Sequence, residues 1–228
     1  MPSPDKYRIF PLGDSALTVE FGNDVMPELN RRALDLVHYF QHNPFEGLIE
    51  AVPAYASTTV FYDPVIVKRL SGGFESAFDA VCHLAERGVP DVGKTTERNT
   101  HVIQIPITID DESALDIDFL SRFSGLTNEE VVSIFLGRIY RVYMLGFLPG
   151  FAYMGEVDER IAAPRKKTPR LKVPKGSVGV AGKQTGIYPL ESPGGWQIIG
   201  RTEMQMFDAF GEIPCPLKPG NKVKFVRA

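Results

Sequence analysis

The stretch Pro164–Gly176, PRKKTPRLKVPKG, sets Arg165, Lys166, Lys167, Arg170, Lys172 and Lys175 among prolines that hold the backbone extended rather than helical. The chain as a whole has a formal net charge of −3, so this concentration of cations is local. Guanidinium forks match carboxylate and phosphate geometry, which makes an anion-binding rim one reading of the segment; a solvated basic loop is the other. Two further segments carry aromatic groups among glycines: GFLPGFAYMG, with Phe147, Phe151 and Tyr153, and SPGGWQIIG, with the only tryptophan, Trp196. Such rings either fill a core or line a shallow pocket where glycines admit a ligand close to backbone N–H groups. Trp196 beside Gly194 and Gly195 reads as a core plug or an interface anchor.

The glycine-rich run Gly176–Gly186, GSVGVAGKQTG, invites comparison with a phosphate loop and fails it. Five residues separate Gly176 from Gly182 where the motif needs four, and Lys183 is followed by Gln184 instead of Ser or Thr. The sequel Ile187-Tyr188-Pro189 reads as strand and turn, so a β-hairpin is expected here. No nucleophile–base pair arises from local spacing. Ser177, Thr185 and Ser192 have no histidine nearby, since the last histidine is His101. His38 and His42 form an i,i+4 pair without a third ligand, and Cys82 and Cys215 match no ligand spacing, so no metal site is expected.

These segments need elements to hold them. Residues 1–92 read as a small α/β domain: strands at Tyr7–Pro11 and Ala16–Phe21, an amphipathic helix over Pro27–His42, strands near Leu48–Val52 and Thr58–Tyr62, the second alternating and closed by the turn signal Asp63-Pro64, and a second helix from about Phe74 to Arg87. The order ββαββα predicts an open sheet with both helices on one face. The polar, aperiodic Asp91–Thr100 reads as a linker. Residues 99–228 form the second predicted domain. It opens with a strand at His101–Ile107 and helices near Ile117–Phe123 and Asn128–Gly137, the latter announced by a capping box at Thr127 and Glu130. After Gly146, short runs such as Ser177–Ala181 and Gln197–Ile199 alternate with Gly/Pro turns, and Lys222–Val226 is the last strand. That pattern predicts a closed barrel or a sandwich. With 43% hydrophobic residues, 23% charged residues and a pI near 5.9, the composition suits a soluble globular protein without a nucleic-acid footprint. No signal peptide or spanning segment is read, so a cytoplasmic protein is expected.

GFLPGFAYMG, APRKKTPRLKVPKGSVGVAGKQTGIYPLESPGGWQIIGRT and PLKPGNKVKFV, together with GDSALTVEFG and EAVPAYASTTVFYDP in the first half, resemble the family that holds the B subunit of 5-oxoprolinase and the sporulation kinase A inhibitor. The same family includes allophanate hydrolase subunit 1 and the carboxyltransferase domain, subdomains C and D, of urea carboxylase. The resemblance implies an α+β protein with an amino-terminal α/β domain and a carboxy-terminal cyclophilin-like β-barrel. It further implies a subunit, not expected to work alone, of a complex that opens 5-oxoproline at the expense of ATP, with a larger sister subunit and a third subunit as partners. Arg165, Arg170, Ser177, Gln184, Thr185, Gly186, Tyr188 and Trp196 are the expected substrate-binding residues. In that scheme arginine holds a carboxylate or phosphate, and turn amides near Gln184–Gly186 hold a developing oxyanion. The alternative implied role is inhibition of a histidine kinase; a stand-alone prolyl isomerase is the remaining rival suggested by the barrel. Two departures stand out. Phe135 occupies a position where the family carries histidine, and of the family's pattern after Ile107 only Asp116 is retained. A phenyl ring cannot shuttle protons, so a binding role is favoured over proton transfer.

Overall fold

A computed structural model describes residues 6–70, 72–89 and 101–228; the expected linker at Asp91–Thr100 lies outside the described residues. The chain divides into two compact units, Met1–Asn99 and Thr100–Ala228.

In the first unit, strands β1 (Arg8–Pro11), β2 (Ala16–Glu20), β3 (Leu48–Pro53) and β4 (Ser57–Tyr62) form an antiparallel sheet of order β1-β2-β4-β3. Leu17 and Val19 of β2 and Val60 and Tyr62 of β4 alternate onto one face. There they meet Ala33, Leu36 and Phe40 of helix α1 (Pro27–His42). A short helix, α2 (Pro64–Leu70), stands where the sequence reads as a turn. Asp63 accepts from the amides of Val65 and Ile66 at 2.9 and 3.0 Å, and Pro64 occupies the first helical position. Asp-Pro is thus a helix start here. Helix α3 (Ala77–Gly88) adds Ala80, Val81 and Ala85 to the same core. It starts later than the apolar stripe from Phe74 suggests, because the Ser76 hydroxyl caps it by accepting from the Asp79 amide.

The second unit holds β5 (Val102–Ile107), helices α4 (Ile117–Ser124) and α5 (Asn128–Leu136), β6 (Tyr140–Leu145), β7 (Ala152–Gly155), β8 (Arg170–Val173), β9 (Ser177–Ala181), β10 (Gln184–Ile187), β11 (Ser192–Gly194), β12 (Gln197–Arg201) and β13 (Lys222–Arg227). The capping box of α5 is formed: the Glu130 carboxylate accepts from the Thr127 amide at 2.8 Å, and Thr127 Oγ1 accepts from the Glu130 amide at 3.2 Å. Seven strands form one sheet of order β12-β9-β10-β7-β6-β13-β5. Its two outer strands meet where Thr108 and Arg201 exchange backbone hydrogen bonds of 2.7 and 2.9 Å, which nearly closes the sheet into a barrel. Ile105, Ile107, Val142, Met154, Val178, Val180, Ile187, Ile199, Val223 and Phe225 fill its interior, joined by Leu120 of α4 and Val131 and Phe135 of α5. The sheet β8–β11 is separate and two-stranded. Among the described residues, no helix is long and apolar enough to cross a membrane.

Candidate functional site

Strand β7 sends alternate residues to opposite faces. Ala152 and Met154 enter the barrel core, while Phe151, just before the strand, and Tyr153 join a second apolar cluster with Val173, Tyr188, Trp196 and Ile198. Glycines make room for that cluster. A side chain at Gly186 would come within 3.0 Å of the Phe151 ring, and one at Gly179 within 2.9 Å of Trp196. Phe151 is the hub: its ring centroid lies 5.3 Å from Tyr188 and 5.5 Å from Trp196, both edge-to-face, and 4.8 Å from Tyr153. Edge-to-face pairs at such spacings each add about 0.5–1.5 kcal/mol beyond the area they bury, so the floor is stiff.

Above this floor lies a cleft of about 220 Å³ lined by Phe147, Phe151, Tyr153, Arg165, Pro169, Tyr188, Pro193, Gly194, Gly195 and Trp196. Phe147 forms part of its wall and is 63% exposed, with φ +65°. The Leu148 amide donates to the Gly146 carbonyl at 2.8 Å across it, a three-residue turn of a kind that is rare and strained for a bulky residue. The barrel therefore holds an aromatic ring out at the cleft against local backbone preference, a form of strain that clusters at ligand sites.

The basic segment enters from the side and is tied at several points. The Gly182 amide donates to the Ala163 carbonyl at 2.7 Å, Gln197 Nε2 to the Pro164 carbonyl at 2.9 Å, and the Lys166 amide to the Gly195 carbonyl at 2.7 Å. Lys166 Nζ and Arg170 Nη2 both donate to Asp116 Oδ1 at 2.8 Å, while Arg170 Nη1 and the Ile198 amide donate to Asp116 Oδ2 at 2.6 and 2.8 Å. Asp116 is buried, and burial alone would raise its pKa. The hydrogen bonds from Arg170, Lys166 and the Ile198 amide outweigh that effect and leave the carboxyl below its usual range. Because the folded value is depressed, the fastening is complete above the unfolded carboxyl pKa of ~3.9 and is lost only as pH falls through the lower folded value. Arg165, between these anchors, faces the cleft and has no ion-pair or hydrogen-bond partner among the described residues.

Tyr153 and Tyr188 have raised pKa values, in each case chiefly from burial, so both phenols stay protonated at neutral pH. The cleft can hold and orient an anion on an aromatic floor, but its own side chains supply no base. Residues 7–217 match the carboxyltransferase domain, subdomain C and D. The chain belongs to this family. It is 41% identical over 223 residues to the B subunit of 5-oxoprolinase from Bacillus subtilis (strain 168), covering 97% of this chain and 93% of that protein. It is 33% identical to the B subunit of 5-oxoprolinase from Escherichia coli O157:H7 over 221 residues, which are 97% of this chain and 96% of the relative. The crystal structure of TTHA0988 superimposes with a TM-score of 0.80 at 37% identity over 93% of this chain, and the match spans only 39% of that longer chain.

In this carboxyltransferase-domain protein, the expected site residues separate. Arg165, Tyr188 and Trp196 line the cleft together, and Gly186 lies beneath it as the seat of Phe151. Arg170 is engaged by Asp116. Ser177 is buried at the start of β9, and Thr185 is buried with its hydroxyl donating to the Gly179 carbonyl at 2.9 Å. Gln184 pairs with Gly155 and Ala181 beside the β9–β10 turn. The amides of Gln184–Gly186 are not turn amides as the sequence suggests. They belong to β10, flanked by β7 and β9, and are committed to the sheet ladder, so they cannot form an oxyanion hole. Gly176–Gly186 is a β-hairpin, and the strand–loop–helix of a phosphate site is absent from it. Among the described residues, no cluster of His, Cys, Asp and Glu could hold a metal ion.

Phe135, where the resemblance implies histidine, is fully buried in the barrel core, stacked on Phe225 and tilted against Tyr140 with both ring centroids at 5.1 Å. It is not among the residues lining the cleft. The residue that sequence reasoning retained without assigning a task is Asp116, the anchor of the basic segment.

Two adjacent glycines give a sharp local prediction. A Cβ at Gly195 would sit 3.7 Å from Pro169 and 3.8 Å from Arg165 Nε, ordinary contacts that intrude on the cleft; one at Gly194 would lie 2.3 Å from the Tyr188 oxygen. Gly195→Ala is expected to leave the melting temperature unchanged within ~2 °C while weakening ligand binding, whereas Gly194→Ala costs about 1–3 kcal/mol of stability as an overpacking change. Paired thermal melts and binding titrations of the two variants check this; equal melting temperatures would contradict it.

Proposed function

We propose that this chain is a subunit of an ATP-dependent, multi-subunit hydrolase of the 5-oxoprolinase type. In this reading the aromatic cleft forms the part of a composite site that holds the ring and carboxylate of 5-oxoproline. One observation carries it: an arginine with no ion-pair or hydrogen-bond partner among the described residues faces a small cleft walled by Phe147, Phe151, Tyr153, Tyr188 and Trp196. The likeness to two proteins named as the B subunit of 5-oxoprolinase, over nearly the full length of each, supports the same reading.

Division of labour follows from the chemistry of the lining. Arg165 supplies a charge-assisted fork for the carboxylate, and the rings exclude water and orient a flat five-membered lactam. No general base lines the cleft, so activation and attack fall to the larger sister subunit and the third subunit, which would complete the site. A triphosphate is poorly matched here, because the single lining cation, Arg165, does not meet its charge. ATP, used by the complex, is therefore placed outside this cleft.

The test is reconstitution. Co-expressed with its sister subunits, the chain is expected to be required for ATP-dependent release of glutamate from 5-oxoproline. Full turnover by the partners without it would end the proposal.

A further inference from the structure

The basic segment presents more cations than the cleft uses. Lys166 and Arg170 follow Arg165 on the same extended run, and Arg170 pairs through its backbone with Gly194 of the cleft wall. Both would be natural anion ligands. Both instead end on Asp116, which accepts from Lys166 Nζ, from Arg170 twice and from the Ile198 amide, at 2.6–2.8 Å. Asp116 is 5% exposed, and its own amide donates to the Ile198 carbonyl at 2.9 Å, so the residue is fixed to β12 through both backbone and carboxylate.

We infer that Asp116 sets the charge selectivity of the cleft: by engaging Lys166 and Arg170 it leaves Arg165 as the single guanidinium that reads the ligand, so that a small ring with one carboxylate is accepted while dianions are refused. This rests on the reading of the cleft as a small-molecule site. The physical reason for refusal is desolvation. A second carboxylate on the same ring would be pressed against Phe151, Tyr153 and Trp196 with no cation to meet it, and a buried unpaired charge is costly. Asp116 touches no ligand in this scheme and is a positioning residue.

The experiment is an NMR titration of the full chain, read at the arginine side-chain and tryptophan indole resonances. Ligands are 5-oxoproline and pyrrole-2-carboxylate as monoanions, and pyrrole-2,5-dicarboxylate and inorganic phosphate as the more highly charged probes. The wild type is expected to bind the monocarboxylates at least about tenfold more tightly than the dicarboxylate or phosphate. Arg165→Met should abolish that binding, and Lys166→Met should leave it within about twofold, because Lys166 is already engaged. Asp116→Asn should release both cations and raise dicarboxylate affinity above monocarboxylate affinity. If Asp116→Asn does not fold, the comparison of Lys166→Met with Arg165→Met still decides: equal losses would overturn the inference. Monocarboxylate binding without charge discrimination would overturn the inference alone, whereas no monocarboxylate binding in the wild type would overturn the cleft reading as well.

Discussion

In the proposed complex, Arg165→Met is expected to lower kcat/KM for the proposed substrate, 5-oxoproline, by about a hundredfold, nearly all of it through KM. Removing the charged partner of a bound carboxylate typically costs about 2–4 kcal/mol, and each 1.4 kcal/mol is a factor of ten. The loss falls on KM because the carboxylate takes no part in the bond change and is held equally before and during reaction. Arg165 is exposed and makes no ion pair or hydrogen bond among the described residues, so the melting temperature of the subunit should not change. Arg165→Lys should recover only part of the affinity, since an ammonium lacks the planar fork. Steady-state kinetics of the three complexes provide the check; a kcat/KM within threefold of wild type for Arg165→Met would show that the carboxylate is held elsewhere.

A second large effect concerns Phe135. Replacing it by histidine, the residue implied by family resemblance, should destabilise the barrel unit by about 3–5 kcal/mol, enough to lower its melting temperature by roughly 10 °C. Phe135 is fully buried between Phe225 and Tyr140, and an imidazole there loses aromatic packing and places ring nitrogens in an apolar core. The effect should grow as the solution is acidified. A histidine buried in neutral form has a folded pKa below its unfolded value near ~6.5, so stability is lost progressively as pH falls below that value. Circular-dichroism melts at pH 8 and pH 5.5 test both parts. A variant as stable as wild type would mean that Phe135 sits in a more open environment than its packing indicates. The presence of phenylalanine here thus speaks neither for a lost catalytic step nor for a kinase-inhibitor role; it belongs to the core.

Much of the fold was legible because its signals are local. The stripe of Leu29, Ala33, Leu36, Val37 and Phe40, the alternation of Thr58–Tyr62, and Thr127 with Glu130 each specify an element from within a few residues. Asp63-Pro64 was legible too, but as the wrong element, since the same dipeptide opens a turn or caps a helix and only the following Val65 and Ile66 amides decide. The candidate site was legible in its materials and illegible in its wiring. That Lys166 and Arg170 are already engaged depends on Asp116, some fifty residues earlier in the chain, and long-range pairing of this kind leaves no local pattern. Gln184 and Thr185 looked like turn residues because glycines flank them. In the barrel their strand is central, and its polar backbone is consumed by neighbours on both sides.

The order of strands in the barrel has a consequence for biosynthesis. β13, the latest of the seven in chain order, lies between β6 and β5 and runs parallel to β5 along its whole length. A chain that has emerged only as far as residue 221 therefore holds a sheet with a missing stave, exposing two unpaired strand margins and the apolar side chains that Val223 and Phe225 will cover. The nascent unit can complete its fold only after residue 227 clears the exit tunnel, so its barrel closes late in synthesis.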